Sequence, residues 1–216
     1  MSPQEETVIQ AIKDQDVNQL ADLMAANPGL ADTRTAAGVS ALMLAMYTGQ
    51  RRLARLIADQ RSGLDIFEAA SLGLLSHLER SLEMDPEAGH HISADGMNAL
   101  HFAARFDQPT VVALLLARGT PPDMISENPL AFTPLHAAVA GASLESAEEL
   151  LDAGAMVDRR QGDGLTPLMA AAATGQIEMV ALLGDHGADP ELRAPNGLRP
   201  AELAVDNGFD EIADIL

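Results

Sequence analysis

Thr133-Pro134-Leu135-His136-Ala137-Ala138 decides how this chain is read, because the pattern returns at a fixed interval. Gly164-Leu165-Thr166-Pro167-Leu168-Met169-Ala170-Ala171 repeats it with Met in place of His, and Gly96-Met97-Asn98-Ala99-Leu100-His101-Phe102-Ala103-Ala104 keeps Leu-His-x-Ala. Weaker copies stand on either side, at Gly38-Val39-Ser40-Ala41-Leu42-Met43-Leu44-Ala45 and Gly197-Leu198-Arg199-Pro200-Ala201-Glu202-Leu203-Ala204. Anchored on the leucine, the copies fall at Leu42, Leu100, Leu135, Leu168 and Ala201, with intervals of 58, 35, 33 and 33 residues. A fixed period of roughly 20–50 residues marks stacked repeats, since one such unit cannot bury its apolar face alone.

The 58-residue interval holds one degenerate copy. Ile66-Phe67-Glu68-Ala69-Ala70-Ser71-Leu72-Gly73 supplies two alanines and an inter-helix glycine, dividing the interval into 24 and 34. The short part predicts that about nine residues are missing between the second and third units, with the turn that should precede the third curtailed. Upstream, Ile9 lies 33 residues before Leu42, with Asp16 where the inter-helix glycine would stand. That makes seven units.

Within a unit, an alanine-rich helix follows the anchor, then a turn residue, then a second helix with apolar residues at helical spacing. Val111, Leu114 and Leu115 are one such set; Met179, Val180, Leu182 and Leu183 are another. Gly119, Gly154 and Gly187 follow second helices, where a left-handed cap is expected. Glu5, Glu6 and Gln10 give the first unit a polar side. Asp206, Asp210, Glu211 and Asp214, standing among Ile212, Ile215 and Leu216, do the same for the last, so both ends read as caps of a complete solenoid.

These residues resemble the ankyrin-repeat family over about residues 5–216, most closely in units four to six. The resemblance implies an all-α solenoid of about seven helix-turn-helix units with β-turn fingers, in a single domain over 1–216. Its expected units are an N-terminal capping repeat at 5–34, repeats at 35–60, 94–128, 129–160 and 161–193, a degenerate repeat at 61–93, and a C-terminal capping repeat at 194–216. It further implies a concave groove of fingers and first helices that binds protein, without catalysis and without a cofactor.

Composition narrows the partners. Hydrophobic residues at 47% and charged residues at 21% describe a chain that folds. With no cysteine, disulfides and thiolate-bound metals are excluded. Thirteen Lys and Arg against 32 Asp and Glu leave a net charge of −19, which repels nucleic acid and anionic membrane surfaces and favours a basic protein partner. No apolar run is long enough to span a membrane and the N-terminal residues are acidic, so a cytoplasmic monomer is expected.

Residues that look chemical have structural readings here. His101 and His136 occupy the signature histidine, where a tie to backbone in the next unit is expected. His90-His91 followed by Asp95 is the only local hint of a metal, without a second ligand pair. Gly162-Asp163-Gly164 is a repeat turn, with no Lys-Ser/Thr after it to make a phosphate loop. Seven acids between Gly119 and Asp158, with no Lys or Arg among them, form a candidate steering surface, and Arg51, Arg52 and Arg55 form the one basic cluster.

The position three before each anchor is apolar in five of six units: Val39, Met97, Phe132, Leu165 and Leu198, with Gly63 the exception. Placed on fingers, these residues are expected to line up as a contact stripe. Tyr47, Arg105 and Phe106 join them from the first helices, because Tyr and Arg beside apolar residues have the composition of a binding hot spot. The segment from Thr120 to Leu130 is two residues longer than the period requires and is expected to project as an extra contact.

Overall fold

The computed structural model describes residues 2–216. Among them are fourteen α-helices, which pair in chain order. The pairs are α1 (Pro3–Lys13) with α2 (Val17–Ala26), α3 (Ala41–Tyr47) with α4 (Arg51–Asp59), and α5 (Ile66–Leu72) with α6 (Leu75–Met84). There follow α7 (Ala99–Arg105) with α8 (Pro109–Ala117), α9 (Pro134–Gly141) with α10 (Leu144–Asp152), α11 (Pro167–Ala173) with α12 (Ile177–Asp185), and α13 (Pro200–Asp206) with α14 (Asp210–Ala213). The odd-numbered helices form one layer, each against the next; the main apolar core runs from Val8 to Ile212, with a smaller cluster around Met169, Ala194 and Leu203.

Most first helices start where a short polar side chain can take an orphan backbone N–H, α13 with its Arg199 N-cap being the exception. Ser40, Asp65, Asn98 and Thr166 accept from the residue three further on, and proline opens α9, α11 and α13. Each pair is joined through a single residue of positive φ: Gln15, Gly49, Gly73, Asp107, Ala142, Gly175 and Gly208. In the first pair this is Gln15 and not Asp16. The turn comes one residue early, and the Asp16 carboxylate caps α2 by accepting from the Gln19 N–H.

Alanines at 0–1% exposure, among them Ala45, Ala69, Ala70, Ala103, Ala104, Ala137, Ala138 and Ala171, let the first helices approach closely. The limit is reached at Gly141, where a β-carbon would strike the backbone carbonyl of Arg105 on the neighbouring pair. Gly141→Ala is therefore expected to cost about 1–3 kcal/mol by overpacking, measurable as a lowered urea midpoint. An unchanged midpoint would mean that α7 and α9 can move apart freely.

The second helices of adjacent pairs are separated from the next first helix by fourteen or sixteen residues, except between α4 and α5, where only residues 60–65 intervene. The long connections carry fingers closed by the same backbone bonds. Thr35 N–H donates to the Val39 carbonyl, Ser93 to Met97, Ser126 to Phe132, Gln161 to Leu165 and Ala194 to Leu198, at 2.8–3.0 Å. No such turn forms in residues 60–65, so the third pair has no finger.

The junction across this gap is sparsely packed, and polar bonds hold it. Arg61 bridges Asp32 (Nε to Oδ1, 2.9 Å) and Glu68, whose Oε1 also accepts from Ser40 Oγ at 2.8 Å. Arg55 donates to the Leu72 carbonyl at 3.1 Å, and Arg51 reaches over the third pair to the Phe106 carbonyl. Two of the three arginines in the basic cluster thus close helix ends.

The last pair differs from the expected acidic cap. Ile212 is buried, but α14 is a single turn, and Val205 and Ile215 are half exposed among the acids.

Candidate partner-binding groove

Fingers and first helices make one face, and its chemistry follows from what each finger leaves uncovered. The five apolar positions of the expected stripe lie at the bases of the fingers, where their carbonyls close the turns. Val39, Phe132, Leu165 and Leu198 are half-buried against the core, and Met97 is only 7% exposed. Met97 therefore offers no surface to a partner. The tips carry Ala36-Ala37, Ala94-Asp95, Leu130, Asp163 and Asn196, and Leu130 is the exposed apolar one, at 53%. Its signal in the sequence was the two-residue lengthening of its own loop.

That loop lies mostly along the fourth finger. Glu127 N–H donates to the Gly96 carbonyl at 2.7 Å, Asn128 Nδ2 to the Asp95 carbonyl at 3.2 Å, and Asn98 Nδ2 meets the Met124 sulfur at 2.9 Å. Leu130, with Ile125 beside the loop's buried Ser126, is what projects.

Of the first-helix residues, Tyr47, Arg105 and Phe106 come together, across a whole unit. The Tyr47 and Phe106 rings stand 5.8 Å apart, and the Tyr47 hydroxyl donates to Asp95 Oδ2 at 2.9 Å. Burial and the adjacent Asp95 carboxylate push the Tyr47 phenol well above its ordinary pKa, so it remains a donor. Phe106 is 8% exposed, because it caps α7 beneath Tyr47, and is support for the surface rather than part of it. Arg105 and Tyr47 are half-buried, and small residues, Ala140 and Ala173, continue the face beyond them.

His101 and His136 are structural ties. Nε2 of His101 donates to the Phe132 carbonyl at 3.0 Å and Nε2 of His136 to the Leu165 carbonyl at 3.3 Å, in each case the base of the next finger. Burial holds both imidazoles neutral, with His101 lowered to about 4. His90 and His91 lie beside different carboxylates, Glu87 and Asp85, while Asp95 serves Tyr47. No three His, Asp or Glu among the described residues are placed to hold a metal ion.

The acidic run divides in two. Asp123 accepts from the Met156 N–H and Asp158 from the Asp189 N–H, binding successive loops, whereas Glu127 in its loop and Glu145, Glu148, Glu149 and Asp152 on α10 are exposed.

Where the third finger is missing, a cavity of about 120 Å³ opens between the second and fourth fingers. Arg34, Val39 and Ser40 line it on one side, Ser93, Ala94 and Asp95 on the other, with Asp65 at its edge and Met43, Phe67 and Phe102 beneath. The truncated interval was legible in the sequence, but the cavity was not.

The family model for ankyrin repeats (3 copies) matches residues 66–161 and 143–216. The chain belongs to the ankyrin-repeat family. Two further helix pairs, α1–α4, stand upstream of the matched residues. Neurogenic locus notch homolog protein 4 of Homo sapiens is 36% identical over 134 residues, 62% of this chain, and the match spans 6% of that much longer protein. Ankyrin repeats form a protein–protein interaction module in a family that is generally non-enzymatic, and no helix among the described residues is long and apolar enough to cross a membrane.

Proposed function

We propose that this protein holds a protein partner on the face formed by its fingers and first helices, as a rigid recognition surface without catalysis. The observation that carries this reading is the cluster of half-buried Tyr47 and Arg105 on buried Phe106, together with the half-buried Phe132, Leu165 and Leu198 and the exposed Leu130. Tyr and Arg on a packed support are the side chains that dominate interface energies. The net charge of −19 orients a basic partner, and the protein acts as a cytoplasmic monomer. Changing Arg105→Glu together with Leu130→Glu is expected to abolish capture of the partner from host lysate, identified by mass spectrometry, while the melting temperature stays within a few degrees. Equal capture by the variant would place the interface elsewhere.

A second reading, an acidic regulator or inhibitor of a partner enzyme, is favoured by the exposed carboxylates of α10. It predicts that Glu145, Glu148, Glu149 and Asp152 changed to their amides weaken binding, with strong salt dependence. Binding indifferent to both changes excludes it.

A further inference from the structure

We propose that the cavity left by the missing finger is a receptor for one cationic side chain, lysine or arginine, of the protein partner; the proposal rests on the preceding reading of the face as a partner-binding surface. Four observations carry it.

The first is shape. In the other units the finger roots fill the space beside the first helices, and successive fingers bond to each other directly, as Glu127 N–H does to Gly96 and Gly162 N–H to Leu130. Between the second and fourth fingers nothing takes that place. Arg61 makes good the lost tie lower down, on Asp32 and Glu68, and leaves the upper part open. At about 120 Å³ the cavity suits one long side chain, well under the ~300 Å³ and more of sites for whole small molecules.

The second is the base. Phe67 and Phe102 form a tilted pair with centroids 5.8 Å apart, and Met43 and Val39 complete an apolar lining. An aliphatic stem finds cover here, and Phe67, the less buried of the two rings, is the one a cationic head can meet.

Third is the charge. Asp65 and Asp95 stand on the rim, and neither has a salt-bridge partner among the described residues. Asp65 accepts the Glu68 N–H and Asp95 the Tyr47 hydroxyl, which fixes both carboxylates in place; Arg61 acts on Asp65 only through space, without an ion pair. Crowding raises the Asp65 pKa, chiefly through desolvation and with Glu68 close by, a condition that an incoming cation relieves.

The fourth is the state of the resident cation. Arg34 lines the cavity, but its Nη1 donates to the Gly38 carbonyl at 2.9 Å. Arg160 and Arg193 make the same bond to Gly164 and Gly197 in fingers with no cavity, so Arg34 is held as a brace of its own finger; its charge remains, and the two aspartates leave the lining one negative charge in excess.

The test uses a random peptide library displayed against the full chain. Enriched peptides should share one Lys or Arg. Replacing it with norleucine, which keeps the stem and removes the charge, should weaken binding about tenfold or more, as should Asp65→Asn with Asp95→Asn in the protein. Asparagine is as good a helix cap as aspartate and still accepts from Tyr47, so the double variant keeps its fold, checked by its melting temperature. Phe67→Leu, which keeps the volume roughly but not the ring, should weaken the lysine peptides more than their norleucine analogues. Peptides that bind but tolerate norleucine and the Asp variants overturn the cation site and leave the protein-binding reading standing. Failure to enrich any peptide counts against both.

Discussion

Arg61→Met is expected to lower the stability of the fold by about 3–5 kcal/mol, the effect of leaving a buried charge without its partner. The Glu68 side chain is 1% exposed and Arg61 10% exposed, so water cannot replace the lost guanidinium, whereas Asp32, at 72%, contributes little. Ser40 Oγ and the Asp65 N–H still reach the Glu68 carboxylate, but two neutral donors do not balance a full charge. Because this ion pair lies at the sparsely packed junction between α3–α4 and α5–α6, the loss should also be local. Amides of α1–α4 should exchange with solvent faster than those of α7–α12, and the urea transition should broaden or split. Arg61→Met combined with Glu68→Leu should recover most of the loss, since an apolar pair of similar volume replaces the buried ions without desolvation. A loss below about 1 kcal/mol for the single variant would mean that the Glu68 carboxylate is solvated, contrary to its burial.

Acidification is expected to destabilise the protein through His101. Its imidazole is fully buried, donates from Nε2 to the Phe132 carbonyl, and is lowered to about 4 by desolvation, against an ordinary 6.5. The unfolded chain takes a proton near the ordinary value and the folded one only near the depressed value, so between them the unfolded state binds more protons. Stability from this group is therefore complete above about pH 6.5 and declines as pH falls towards about 4, below which the loss stops growing. The size is about 3 kcal/mol, from some 1.4 kcal/mol per pH unit. His136, also lowered by burial, adds in the same direction, and Asp65, raised, opposes both at the acid end. Denaturation of wild type and His101→Gln at pH 7 and pH 4.5 separates the contributions. The glutamine variant should be weaker at pH 7 and show a shallower decline. Parallel curves would show that His101 is not the titrating group.

Much of the architecture was legible because repetition multiplies weak signals. A single Thr-Pro-Leu-His-x-Ala is a short match, but copies at 33–35 residues force helix pairs to stack, and the stacking requires small residues where first helices meet. The same reasoning located the truncated turn before Ile66. The candidate site was less legible, since a position in a repeat says which layer a side chain belongs to and not how deeply it sits. Met97 and Phe106 illustrate this. Both occupy positions with the right composition for contact, yet Met97 is buried at the base of its finger and Phe106 beneath Tyr47. Asp16 was misplaced by one residue because a constant period cannot register a turn that comes early.

The sequence by itself determined the repeat, the all-helical stack, the roles of His101 and His136, and the charge that any partner must meet, because each depends on local pattern or on totals. Only the tertiary structure decided what fills the gap between the second and fourth fingers. Arg61 meets Glu68 from seven residues away, while Tyr47 meets Asp95 and Arg51 meets Phe106 from 48 and 55 residues away, distances unrelated to the 33-residue period. A missing finger breaks the nearest-neighbour rule of the solenoid, and the side chains that respond come from units that a one-dimensional reading keeps apart.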